Sequence, residues 1–119
     1  MIMLNNEFMK LALKRALEVK IDIPVCAIIV KNNDIISIGV NEKEKNNLVT
    51  SHAEILALQK ANEFFNSWRL DECEMYVTLE PCPMCAAAII NSRIKNLYFS
   101  SYDVKYGAFS TSINLKKFY

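Results

Sequence analysis

Six residues, Glu-Pro-Cys-Pro-Met-Cys at 80–85, constrain the architecture of this chain more than any other stretch. They follow the extended apolar run Met-Tyr-Val-Thr-Leu at 75–79. Pro81 and Pro83 lack the amide hydrogens that a central strand needs, so a strand cannot continue through them. Pro83 suits the first turn of a helix, and Ala86 to Ile90 extends that helix with apolar residues. The chain therefore passes from a buried strand into a buried helix, with Cys82 and Cys85 three apart and on one face of the helix start.

The rest of the pattern fits around that crossover. From Met3 to Lys20, Leu4, Phe8, Leu11, Ala12, Ala16 and Leu17 recur at helical spacing, with Glu7, Lys10, Lys14 and Glu18 opposite them, which predicts an amphipathic helix. Pro24 opens the β-branched run VCAIIV, the turn formers Lys31 to Asp34 follow, and IISIGV completes a predicted hairpin. A polar loop runs from Asn41 to Asn47. Ser51 precedes a helix predicted from His52 to about Phe65, and its spacing to Glu54 fits a capping box. Beyond the second helix, NLYFS at 96–100 is a fourth strand. Two crossover helices imply parallel strands and the hairpin an antiparallel first pair, an α/β layout with a mixed sheet.

Composition removes several classes of function. At 119 residues, with no repeat and no linker, the chain reads as a single domain from 1 to 119. Fourteen basic and thirteen acidic side chains leave a net charge of +1, so any grip on nucleic acid must be local. The apolar runs VCAIIV and AAAII are too short to cross a membrane, and the opening is too short for a signal peptide, which points to the cytoplasm. In such a chain four cysteines are thiols, metal ligands or catalytic groups rather than a disulfide framework.

The only histidine, His52, lies in Ser-His-Ala-Glu-Ile. Taken alone, Cys82-x-x-Cys85 reads as a redox pair or as half of a structural zinc site, and His52 alone as a capping or partly buried residue. Together they supply three ligands of a catalytic zinc site that keeps its fourth position open. Two thiolates and a neutral imidazole cancel the ion's charge and leave a Lewis acid able to lower the pKa of water. Inside a helix His52 and Glu54 would point to nearly opposite sides, so both can reach one centre only if His52 lies at the very first turn. A closed structural site would recruit Cys26 or Cys73, but Cys26 falls in an apolar strand and Cys73 near a strand start.

His-Ala-Glu followed by Pro-Cys-Pro-Met-Cys resembles the signature of the zinc nucleobase deaminases. The resemblance is closer to the bacterial tRNA-specific adenosine deaminases. It runs through Ile-Pro-Val at 23–25, Asn41, SHAEI, TLEPCPMC at 78–85, SRI at 92–94 and D-x-K-x-G-A at 103–108, to about Ser112. It implies a three-layer α/β/α cytidine-deaminase-like fold, a homodimer, one Zn2+ per chain on His52, Cys82 and Cys85, and conversion of adenosine to inosine at the wobble position of a tRNA anticodon loop. Glu54 would carry protons, Asn41 would hold the base, Pro24 and Val25 would wall the pocket, and Asp103 and Lys105 would meet the anticodon backbone.

The sequence also departs from this family. Leu48-Val49-Thr50 stands where Asp-Pro-Thr is usual, Ser51 where an alanine is, Cys26 where a glycine is, and Tyr102 where a basic residue often is. The family continues past the position of Tyr119, so the usual last strand and terminal helix are expected to be missing. Two alternatives remain: a deaminase of free guanine, cytosine or a nucleoside, and a catalytically inactive, zinc-stabilised RNA-binding partner subunit. Asn41 could be a turn residue only, and Asp103 with Lys105 a solvated pair. Phe64, Phe65 and Trp68 read as core or dimer contacts.

Overall fold

The structure is a computed structural model that describes residues 5–109. Helix α1 (Asn5–Ala16) is followed by β1 (Cys26–Lys31), β2 (Asp34–Val40), a four-residue α2 (Lys43–Asn46), α3 (Ala53–Phe65), β3 (Cys73–Leu79), α4 (Pro83–Asn91) and β4 (Asn96–Ser101). The four strands form one mixed sheet in the order β2-β1-β3-β4. Strand β1 is antiparallel to both neighbours, and β3 and β4 are parallel. Both helical crossovers therefore join strands of the same direction, as the sequence predicts, with β1 inserted between β2 and β3.

The alternation of side chains along β1 divides the core in two. Ala27 and Ile29 face α3 and α4, packing with Ala53, Ala57, Leu58, Met75, Val77 and Ile89. Cys26, Ile28 and Val30 face α1, packing with Phe8, Ala12, Ala16 and Tyr76. A strand covered on both faces needs a continuous apolar run, which is what VCAIIV provides. The layers are thus α1, the sheet, and α3 with α4, and among the described residues no helix is long and apolar enough to cross a membrane.

Local chemistry sets the boundaries. Asn32 and Asn33 both have positive φ, 50° and 66°, which is the backbone of a tight two-residue hairpin turn that asparagine tolerates. Helix α1 stops at Ala16 rather than Lys20. Its last amides, of Glu18 and Val19, bond to carbonyls three residues back, and Leu17 is 77% exposed. The chain must leave helical backbone before Pro24, and the β-branched Val19 and Ile21 favour that exit. The expected helical positions Met3 and Leu4 lie outside the described residues, as does the segment where a last strand and helix were expected to be missing. The polar loop after β2 contains α2, which is too short to leave a periodic pattern.

Helix α3 lies directly on β2. Ser37 Oγ donates to the Ala57 carbonyl at 2.8 Å, and a Cβ at Gly39 would collide with the backbone of Ala53 and Ala57. Glycine at 39 is thus a requirement of close approach, and this contact fixes the height of the first turn of α3 above the sheet.

Candidate functional site

The first turns of α3 and α4 meet at one end of the sheet. His52 is the N-cap of α3, in extended backbone with φ −77° and ψ 153°, and Cys82 is the N-cap of α4 with φ −72° and ψ 171°. The expected capping box is not formed: the helix starts one residue later than predicted, His52 and not Ser51 is its N-cap, and no side chain caps it. Ser51 is buried, and its hydroxyl oxygen lies 3.3 Å from Asn46 Nδ2. Because His52 stands just outside the helix, the two-residue spacing to Glu54 no longer separates their side chains to opposite faces.

The donor atoms converge. His52 Nδ1 lies 3.7 Å from Cys82 Sγ and 3.5 Å from Cys85 Sγ, and the three ligand atoms all fall within 4.8 Å of one another. Cys26 and Cys73 take no part in this group; both are buried in the sheet, and burial pushes the Cys26 thiol up to about 11. Cys82 is drawn the other way, to about 5. Hydrogen bonding from Cys85 is the largest cause, opposed by burial and aided by backbone amides of the first turn. Cys85 is pushed up, since it donates to the Cys82 sulfur, is buried and lies next to Glu54. The pair thus carries one negative charge ready for a cation, with a second proton to be displaced when both sulfurs bind.

Glu54 is 5% exposed, in the first turn of α3, and its carboxylate meets the Cys85 thiol. Burial raises it to about 7, partly offset by a hydrogen bond from its own backbone amide. A carboxyl group held this way can take up and release a proton near neutrality.

Asn41 and the 23–25 segment form one unit. The Asn41 amide hydrogen bonds to the Val25 carbonyl at 3.0 Å, Nδ2 donates to the Ile23 carbonyl at 3.1 Å, and Oδ1 accepts from the Lys43 amide at 3.1 Å. Pro24 is exposed and Val25 buried. A bond from the Glu42 amide to the Ser51 carbonyl, 2.9 Å, joins this unit to the approach to His52. Asp103 is turned into its own loop: Oδ1 accepts from the amides of Lys105 (3.1 Å) and Tyr106 (3.0 Å). Lys105 is exposed, its ammonium 5.4 Å from the centroid of the Tyr106 ring. Phe65 packs against the core, whereas Phe64 and Trp68 are exposed, the latter beside Arg69 and Arg93.

Sequence reasoning passed over Thr78 and Glu80. Thr78 Oγ1 accepts from the Cys26 amide at 3.2 Å, and Glu80 is 2% exposed and bonds to the amides of Asp103 and Phe109. The signal was present: a carboxylate between an apolar strand and a proline is placed where only a buried partner can satisfy it.

Comparison with known proteins finds relatives among the deaminases. A model of the MafB19-like deaminases matches residues 5–118. The tRNA-specific adenosine deaminase of Aquifex aeolicus is 46% identical over 91% of this chain and 73% of its own length, and that of Bacillus subtilis 40% identical over 91% and 68%. A solved structure from work on A-to-I editing by tRNA:A34 deaminases at the wobble position of transfer RNA superposes with a TM-score of 0.90 at 38% identity, covering 93% of this chain and 87% of that one. A guanine deaminase from Bacillus subtilis superposes at 0.81 with 29% identity, over 98% and 92%. The chain belongs to this deaminase family, together with the bacterial tRNA-specific adenosine deaminases.

Proposed function

We propose that this protein is a zinc-dependent enzyme that hydrolyses adenosine to inosine and ammonia at the wobble position of a tRNA anticodon, acting as a single-domain cytoplasmic homodimer. The observation that carries the reading is the convergence of His52 Nδ1, Cys82 Sγ and Cys85 Sγ beside a buried Glu54. The donor set fits zinc. With Zn–S of about 2.3 Å and Zn–N of about 2.05 Å, a tetrahedral centre has an N···S edge of about 3.6 Å. The edges here are 3.5 and 3.7 Å. A bound zinc ion supplies Lewis acidity that makes water nucleophilic near neutral pH.

The protein's own groups do the rest. Glu54 takes a proton from the attacking water and delivers it to N1 of the adenine as C6 becomes tetrahedral, then takes the proton of the new C6 hydroxyl and passes it to the departing amine, which leaves as ammonia. Its burial keeps bulk water from competing for that proton. Asn41 is committed on one side to Ile23 and Lys43, which fixes its amide plane and leaves one N–H and one lone pair for a base. Pro24 and Val25 supply the apolar wall, and Asp103 shapes the loop from which Lys105 reaches the anticodon phosphates. A loop nucleotide can be turned out without breaking a duplex, which suits a site sunk between two helix starts.

The structural likeness to a guanine deaminase favours one second reading, action on free bases. A panel separates the two: zinc-loaded protein is incubated with transcribed tRNA carrying adenosine at the wobble position, and with free guanine, cytosine, adenosine and cytidine. Inosine at the wobble position is the expected product. Turnover of free bases alone would sink the proposal. Light scattering checks the dimer.

A further inference from the structure

We infer that Glu80 is a positioning residue that ties the exposed 102–106 loop to the helix bearing Cys82 and Cys85, so that the substrate-facing loop is held at a fixed height over the site. This rests on the proposed function for its consequence in catalysis, though not for its structural content. Glu80 is 2% exposed and lies between the end of β3 and the N-cap of α4. One oxygen accepts from the Asp103 amide at 3.2 Å and the other from the Phe109 amide at 3.1 Å. The two bonds grip both ends of a single loop and close it at its base.

Neighbouring contacts act in the same direction. The Glu80 amide donates to the Ser101 carbonyl at 2.8 Å, and the Ala108 amide donates to the Pro81 carbonyl at 2.9 Å, so the loop's return is stitched to the residue before Cys82. Ala108 and Phe109 pack on Ala86 of α4. A Cβ at Gly107 would collide with the Glu80 carboxylate, so glycine there is what lets the carboxylate reach under the loop. The tip points outward: Val104 is 85% exposed, and Tyr102, Lys105 and Tyr106 are exposed as well. A carboxylate costs free energy to bury and is retained where amides satisfy it, and its bonds to them are of the stronger, charge-assisted kind. Here both carboxylate oxygens are committed to amides of one loop, one at each end.

Two variants test this without sharing a mechanism of failure. Glu80→Gln keeps the shape but sets an NH2 group against one of the two amides. Gly107→Ala leaves Glu80 intact and forces the loop off it. The first readout is trypsin cleavage after Lys105 in zinc-loaded protein without substrate. Both variants should be cut at least about fivefold faster than the parent, since loss of one charge-assisted bond is worth roughly that factor or more. The second is kinetic: the KM for tRNA should rise about tenfold while kcat stays within about threefold, the pattern of lost binding rather than lost chemistry. Glu80→Asp, which keeps the charge, should recover part of both effects. Zinc content should match the parent in all three. Cleavage at the parent rate in both variants overturns the tether. Faster cleavage with an unchanged KM overturns the link to substrate. A protein that proves inactive on tRNA would remove the proposed function and leave the cleavage result standing.

Discussion

His52 and Cys82 occupy the same position in two different helices, each in extended backbone at an N-cap, whereas Asn41, Asp103 and Lys105 sit on connections outside any helix of more than one turn. The donor half of the site therefore inherits its geometry from the sheet. Gly39 seats α3 on β2 and Pro83 is the first residue of α4, so the side chains at the two helix mouths meet where the sheet places those helices. The half proposed to meet substrate is built by stapling: Asn41 to Ile23 and Lys43, Asp103 to Lys105 and Tyr106, Glu80 to both ends of its loop. Donor geometry should thus tolerate changes in the loops, and the substrate half should yield to the loss of a single hydrogen bond.

The largest test removes the donor half. Chelation, or Cys85→Ala, should eliminate activity and metal together, because two remaining ligands do not hold an open catalytic site. In the metal-free protein Cys82 should be alkylated at pH 7 at least about tenfold faster than Cys26 or Cys73, since it is drawn to about 5 and partly exposed, while burial pushes Cys26 up to about 11 and raises Cys73 as well. Mass spectrometry of the labelled peptides decides it. Labelling of Cys82 should fall as the pH drops through about 5, where the thiolate is lost.

Next in size is Glu54→Gln, which should cost about 10²–10⁴ in kcat with metal content intact. It carries a stability effect of opposite sign. A buried carboxyl group whose pKa rises from 4.5 to about 7 on folding contributes stability in full below 4.5 and loses it as the pH climbs through 7. Metal-free Glu54→Gln should therefore be more stable than the metal-free parent at pH 8, by up to about 3 kcal/mol, with the difference shrinking towards pH 4. Thermal unfolding at the two pH values measures it. If the variant is the less stable at pH 8, Glu54 is not held where burial disfavours its charge.

Smaller again is Gly39→Ala. Its methyl group meets the backbone of Ala53 and Ala57, which cannot yield as a side chain can, so α3 must lift from the sheet at a cost of about 1–3 kcal/mol. Urea unfolding should show this, along with weaker metal retention, because His52 rides on the same turn. A change confined to stability, with metal affinity unaltered, would mean that the helix mouth is fixed by something other than its seat on β2.

The same division explains what the sequence made legible. The three donors and Glu54 could be found because a proline-marked helix start and the position of the only histidine are local signals. The run VCAIIV could be read as a hairpin strand because it is β-branched and bounded by a turn, while its burial on both faces emerges only in the structure. The insertion of β1 between β2 and β3 left no local trace, since strand order depends on which edges pair. The capping box failed for a local reason: Ser51 and Glu54 have the right spacing, but the helix begins at Ala53, so His52 takes the cap. Glu80 shows in the sequence only as a carboxylate between an apolar strand and a proline, while its partners, amides 23 and 29 residues away, have no letter of their own.

The smallest expected effect lies at Lys105, and it sharpens the contrast most directly. Its side chain is exposed and stacked near Tyr106, and its amide, not its ammonium, is what bonds to Asp103. Lys105→Ala should therefore leave the loop closed and the unfolding midpoint unchanged, since an exposed cation contributes little to stability. What it should change is the electrostatic grip: one fewer phosphate contact lowers the slope of log KM against log salt by about 0.7 and raises KM about two- to threefold at moderate ionic strength. Titration of KM across a range of salt concentrations tests this with one variant. A slope equal to the parent's would place the anticodon backbone away from this loop, and the staple formed by Glu80 would then hold a surface that the substrate does not touch.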